Sequence, residues 1–453
     1  MAAPRMERGS LQPLLSRLQE ARSRTDNLFK LIAPDAIYDR PIPERHRLIF
    51  YLGHLEAFDW NLLRGALALE SVNAEFDRLF SFGIDPTHGD LPTDQPADWP
   101  RVSQIQSHNE RVRQRVDERL KGARSSLPPD IADGTLLHVA IEHRLMHLET
   151  LAYLLHQLPY DRKLPQRTAT LNSGAEPETR MVTIPAGTAT LGQPRHNGSD
   201  KRRGSRNGTF EFGWDNEFEA HAVEVPEFSI DLFPVTNGEY LDFVQAGGYD
   251  EASLWDAEDW EWKQSHDIQH PFFWQRSGDQ WLYRSMFDLV PLPLEWPVYA
   301  SYAEASAYAR WTRKSLPTEA QWHRAAYGTP SGNERRHPWG EEAPDASRGN
   351  FDFERWDPTP VTAHPKGASA FGVQDLLGNG WEWTSTPFGP FPGFERFPFY
   401  PGYSADFFDG RHFVMKGGSP RTAQCFLRRP FRNWFQPRYP YVYATFRCVE
   451  DGR

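Results

Sequence analysis

Residues 140–155 read AIEHRLMHLETLAYLL. Apolar residues recur at helical spacing here, and the wider segment 135–158, TLLHVAIEHRLMHLETLAYLLHQL, predicts a strongly amphipathic helix. His143 and His147 stand four apart, so both imidazoles lie on one helical face, one turn from each other, within reach of one metal ion. Glu149 falls near the same face, either orienting a ligand histidine or standing as a solvated carboxylate. Without further ligands the pattern is only an amphipathic helix that carries histidines, so the rest of the chain decides.

Three more helical segments precede it: 11–32, 46–68 and 101–123. Four long helices joined by loops predict an up-and-down bundle. The stretch 83–100, GIDPTHGDLPTDQPADWP, is too rich in Pro and Asp for a helix and predicts a long crossing loop. A metal that does chemistry needs about three protein ligands and open positions. His54, mid-helix in FYLGHLEAFDW, is the best third candidate, because a bundle core is where ligands from facing helices converge. A zinc-peptidase reading needs Glu directly after the first histidine; that place is Arg144, so the general base is missing.

After a linker over 166–180 the texture changes. MVTIPAGTATLG predicts a strand, a turn and a strand. Two helices are expected, one capped by Thr236 or Asn237 and one by Ser301 with Glu304 three positions on. The remainder reads as short strands and long loops. Aromatic residues make up 14 % of the chain, with 16 Trp and 30 Phe, mostly after residue 210, alongside 38 Pro and 33 Gly.

A net charge of -11 argues against nucleic acid or an acidic membrane surface as partner. Two cysteines, Cys425 and Cys448, build no disulfide framework and no four-cysteine zinc site. No signal-peptide pattern and no run of about 18 apolar residues stands out, so a cytoplasmic location is the expectation. Nothing demands an oligomer, and a monomer is expected.

LGHLEAFDW and EHRLMHLET together resemble the DinB-like four-helix domain of the ergothioneine sulfoxide synthases. VTIPAGTATLG, PVTNGEYLDFVQAGGY, LPTEAQWHRAAYG, DLLGNGWEWTST, KGGSPRT and FRNWFQPRYPYVYATFRC resemble their formylglycine-generating-enzyme-like domain, a variant of the C-type lectin fold. The resemblance implies an α+β protein: a DinB-like four-helix bundle over 1–165, then a formylglycine-generating-enzyme-like domain over 181–453. It implies iron(II) on His54, His143 and His147, with hercynine, dioxygen and a sulfur or selenium donor as small-molecule substrates. Asn433 and Trp434 map to contacts with the trimethylammonium end, which suits an aromatic face. Tyr400 is near the place of a proton-donating tyrosine, with Phe397 and Phe399 close by.

Departures from the family bear on the donor. The loop that carries donor-binding arginines in many members has no tyrosine here, and Arg101 at its end is its only arginine. It holds Asp85, Asp90, Asp94 and Asp98, and an acidic loop suits sugar hydroxyls better than a dicarboxylate. Met146 replaces a polar glutamine, and Phe435 replaces an aspartate of some members, which softens the pocket toward a large polarizable atom. The reading is selenoneine-type synthesis from a selenosugar. The alternatives are sulfoxide synthesis from cysteine or gamma-glutamylcysteine, a formylglycine-generating oxidase, a DinB-like thiol transferase, and a lectin-like module that only binds.

Overall fold

The computed structural model describes residues 11–81, 91–122, 129–165, 177, 179–195 and 212–452. The chain divides into two compact units, Met1–Gln166 and Arg167–Arg453. Most of the expected linker lies outside the described residues.

Among the described residues the first unit holds six α-helices: α1 (Gln12–Phe29), α2 (Leu48–Leu63), α3 (Ala74–Leu79), α4 (Val102–Gly122), α5 (Pro129–Ala132) and α6 (Thr135–Gln157). α1 packs on α6, and α2 packs on both α4 and α6. The four long helices are the expected ones; the sequence reading missed the short α3 and α5. Asn73 starts α3 by accepting hydrogen bonds from the amides of Glu75 and Phe76, the use of Asn that relieves unpaired first-turn donors. Leu137, Ile141, Leu148, Leu151 and Leu155 of α6 are buried, each contributing about 1.5–3 kcal/mol.

A buried charge cluster braces α2 against α6. Arg144, 1 % exposed, donates to Glu56, to Asp59 at 2.7 Å and to the Leu55 carbonyl at 3.0 Å. Arg113 of α4 joins the same Glu56 and reaches Asp26 of α1 at 2.7 Å. Burial opposes ionisation of Glu56, but Arg144 and Arg113 outweigh it and hold the carboxyl at about 2.

Among the described residues the second unit is built from short strands and four α-helices. β1 (Met181–Ile184), β4 (Phe228–Asp231) and β12 (Val449–Asp451) form one sheet, in the order β1-β4-β12. β2 (Gly187–Leu191) pairs with β3 (His221–Val225), so the two strands of MVTIPAGTATLG enter different sheets instead of forming a hairpin. β5 (Trp274–Ser277), β6 (Gln280–Arg284) and β7 (Leu289–Pro291) make a meander. β8 (Gly380–Pro387), β9 (Phe413–Gly418), β10 (Asn433–Phe435) and β11 (Ala444–Thr445) form the fourth sheet, in the order β10-β9-β8-β11. Phe228 and Ile230 of β4 are buried while Ser229 is not, the period-two pattern of a strand with one face on a core.

Thr236 and Ser301 cap α7 (Asn237–Gln245) and α9 (Tyr302–Trp311), each with a glutamate closing the capping box. Two further helices, α8 (Ala257–Ser265) and α10 (Glu319–Tyr327), were missed. α10 carries its own box, Thr318 with Gln321, so its start was legible. The core joins Ile184, Ile230, Trp322, Leu376 and Val449. Within it Glu382 accepts two hydrogen bonds from Arg447, at 2.6 and 2.7 Å, and one from Trp322 at 2.9 Å.

Among the described residues no helix is long and apolar enough to cross a membrane.

Candidate metal centre

His54 comes from α2, and His143 and His147 from α6. Their ligand atoms all lie within 4.8 Å of one another, and all three residues are buried. His54 Nδ1 sits 2.7 Å from the Phe80 carbonyl oxygen. A carbonyl only accepts, so Nδ1 carries the proton and Nε2 keeps its lone pair. His54 Nε2 and His147 Nδ1 have no hydrogen-bond partner among the described residues. Unpaired buried nitrogens are costly, and three converging imidazoles make the cost intelligible as the ligand set of a metal site.

Burial lowers His54 to about 4, against the hydrogen bond to Phe80, and drives His143 and His147 well below the ordinary histidine range, with the neighbouring imidazoles adding to it. All three are therefore neutral at physiological pH, the form that ligates a metal. Three neutral nitrogen donors fit a divalent transition ion and leave positions for exogenous ligands.

Aromatic rings wall the triad. Phe58 stacks on His143 at 3.4 Å, and Phe50 stacks on His54 at 4.9 Å. Phe50, His54 and Phe58 recur every four residues, a spacing from which these walls could have been predicted. Gly53 was missed as well. A Cβ there would come within 2.5 Å of the Phe80 ring, so the LGH glycine lets the residue that orients His54 pack close. Arg144, beside His143 in sequence, points into the charge cluster instead of the triad. Glu149 and Met146 are half-buried on α6; the recorded orienting partner of His54 is a main-chain carbonyl, which no side-chain motif announces.

Two of the four loop aspartates have partners within the protein. Arg40, Arg47 and the Trp99 indole all donate to the Asp94 carboxylate. Asp98 closes a capping box on the Gln95 amide at 2.7 Å. Asp85 and Asp90 lie outside the described residues.

In the second unit, Trp434 on β10 stacks on Phe388 at 4.1 Å and meets Tyr403 edge-on at 5.5 Å. Tyr400 lies 5.6 Å from Tyr403, so Tyr400 and Trp434 belong to one aromatic cluster. Strand alternation puts Asn433 and Phe435 on the face opposite Trp434, and Phe435 stacks on Tyr439 at 5.4 Å. Burial, reinforced by Asp215, raises the Tyr400 phenol to about 12, so it keeps its proton at neutral pH. Asp215 is fully buried and accepts from the Phe397 amide and, at 2.6 Å, from Ser404. It thereby grips both ends of the segment that carries Tyr400, a role the sequence did not reveal.

Residues 167–452 match the family described as the sulfatase-modifying factor enzyme 1-like domain. The chain belongs to this family. It is 41 % identical over 240 residues to a hercynine oxygenase of Mycobacterium tuberculosis, covering 52 % of this chain and 56 % of that protein. It is 28 % identical over 510 residues to ergothioneine biosynthesis protein 1 of Neurospora crassa, covering 93 % of this chain and 56 % of that protein. The chain thus spans little more than half the length of these two relatives. A formylglycine-generating enzyme of M. tuberculosis is 29 % identical over 258 residues, 47 % of this chain and 75 % of that protein. Oxidation through a reactive cysteine pair fits this chain poorly. Cys448 is fully buried, and burial beside Asp231 raises its thiol far above the ordinary range.

Proposed function

We propose that the chain is a non-haem iron(II) oxygenase that uses dioxygen to join sulfur or selenium to C2 of the hercynine imidazole, with a selenosugar as the preferred donor. The observation that carries the reading is the buried triad of His54, His143 and His147, neutral and drawn from two facing helices, in a chain similar to hercynine oxygenases. Bound iron(II) would supply one centre at which donor, imidazole and dioxygen meet.

The chain's own residues supply the rest. The three imidazoles, walled by Phe50 and Phe58, would hold the ion away from bulk water. Trp434 offers an aromatic face to a quaternary ammonium, which cannot donate an ordinary hydrogen bond. Asn433, whose side-chain oxygen accepts from the Trp434 amide, and Phe435, on the strand face opposite Trp434, are assigned to the substrates by the family resemblance, with Met146 adding apolar surface. Asp85 is assigned to donor hydroxyls. Tyr400, whose phenol stays protonated, is the proton donor, positioned by Asp215. The partners are therefore small molecules.

The test is a competition assay. Anaerobic iron(II) protein receives hercynine, cysteine, gamma-glutamylcysteine and 1-selenoglucose together, then air, and products are weighed by mass spectrometry. A selenium-bearing hercynine adduct is expected. A cysteine-derived sulfoxide would reassign the donor, and no adduct with any donor would end the reading.

A further inference from the structure

Arg40, in the connection between α1 and α2, and Arg47, at the α2 N-cap, converge on Asp94. Arg40 donates to one carboxylate oxygen; Arg47 Nε reaches the other at 3.0 Å and Trp99 Nε1 reaches it at 2.7 Å. Further bonds hold the arrangement: Arg47 to the Asp94 carbonyl at 2.8 Å and to the Tyr38 carbonyl at 2.8 Å, and Arg40 to the Pro92 carbonyl at 2.7 Å. Two guanidinium groups and an indole N–H aimed at one carboxylate constitute a carboxylate receptor. Here the chain's own side chain fills it.

The clamp adjoins the metal centre. Trp99 meets Phe50 edge-on at 6.0 Å, and Phe50 stacks on His54 at 4.9 Å. Trp99 also lies 6.0 Å from the ring of Phe80, whose carbonyl holds His54. One aromatic layer therefore separates the clamp from the triad. Arg144, the cation beside His143, is engaged by Glu56 and Asp59. Burial works against the charge on Asp94, but Trp99, Arg40 and Arg47 prevail and keep it ionised.

We propose that Asp94 is a donor-specificity residue: it occupies from within a two-arginine carboxylate receptor beside the metal centre, so that a neutral donor of the sugar chalcogenol class is preferred over a carboxylate-bearing thiol. This rests on the oxygenase reading above. An external carboxylate must displace a tethered one whose effective concentration is on the order of millimolar or higher, and it gains no net charge pairing by doing so.

The experiment uses the full-length iron(II) protein under argon and compares wild type, Asp94→Ala, Asp94→Asn and the triple variant Asp94→Ala/Arg40→Gln/Arg47→Gln. Calorimetry reads gamma-glutamylcysteine binding, and steady-state assays in air with hercynine read kcat/KM for gamma-glutamylcysteine and 1-thioglucose. In Asp94→Ala, gamma-glutamylcysteine binding should tighten roughly tenfold or more, the scale of one charge-assisted hydrogen bond. The kcat/KM ratio should shift the same way, and the triple variant should lose both gains. Asp94→Asn, which keeps the side-chain volume, should show the same direction. Unchanged gamma-glutamylcysteine binding in both single variants, with normal circular dichroism and iron content, overturns the proposal. Failure of every protein to make a hercynine adduct sinks the oxygenase reading instead, while the calorimetric comparison still decides the role of Asp94.

Discussion

The metal face of the first unit and the charged core of the second treat buried polarity in opposite ways. In the second unit, Glu382 shares both its oxygens with Arg447 and takes a third bond from Trp322. In the first, His54 Nε2 and His147 Nδ1 are buried with no hydrogen-bond partner among the described residues. A saturated cluster fixes geometry and asks for nothing more. An unsaturated one costs free energy in the empty protein, and a bound ion recovers it. The lesson is that unpaired nitrogens converging on one point, and not burial alone, mark a binding site. Arg144 sharpens the contrast, because it neighbours His143 in sequence and is nonetheless paired with Glu56 and Asp59, away from the triad.

The largest expected effect comes from breaking the saturated side. Glu382→Gln leaves Arg447, fully buried, without its countercharge, and should cost about 3–5 kcal/mol in urea unfolding. Loss of less than about 1 kcal/mol would mean that this core is not held by charge pairing.

Next is the unsaturated side. His143→Ala should weaken iron(II) binding by at least about 100-fold, read by competition with a chromophoric chelator, because a lost ligand exceeds the 10- to 100-fold typical of an outer-shell loss. The metal-free stability should fall little or rise. If it drops as far as Glu382→Gln, the triad is structural and the comparison fails.

Smaller is Gly53→Ala. Its Cβ must push the Phe80 ring, disturbing the carbonyl that orients His54, and iron(II) affinity should fall about 10-fold. An unchanged affinity would remove Phe80 from the account.

A further effect, shallow per pH unit, is a pH slope in the second unit, from Asp375. Asp375 Oδ1 is buried with no hydrogen-bond partner among the described residues. Burial, against Asn379 and Arg447, raises this carboxyl from 3.8 to about 7. The folded value lies above the unfolded one, so this group's stabilisation is complete below 3.8 and is lost as pH rises through about 7. Urea unfolding should show a decline of up to about 1.4 kcal/mol per pH unit in that window. Asp375→Asn should flatten it; a slope identical in the variant would show that Asp375 is ionised in the fold.

Much of the first unit was legible because its signals are local. The four long helices follow from apolar spacing, and His143 and His147 share a face because both lie on one helix. His54 could be nominated because it sits mid-helix among apolar residues. The second unit was less legible. β1 and β2 are adjacent in sequence yet pair with β4 and β3, and β12 closes the first sheet from the far end of the chain. Pairing across such separations leaves no local periodicity, so the motif resemblance, not the pattern, carried that half. The partners of two loop aspartates, Asp94 and Asp98, could not be inferred from composition.

The sequence by itself determined which residue types were available and where the helices run: two histidines one turn apart, a third on another helix, a charge balance that disfavours nucleic acid, and the motifs of the second unit. Only the tertiary structure decided which polar groups are satisfied. It turned Arg144 away from the triad, tied His54 to the Phe80 carbonyl, and gave Asp94 to Arg40 and Arg47. The reason is physical. Spacing along one helix fixes neighbours through its own hydrogen bonds, whereas partners across elements are fixed by the packing of the whole unit, where each buried donor takes the acceptor that the fold brings to it.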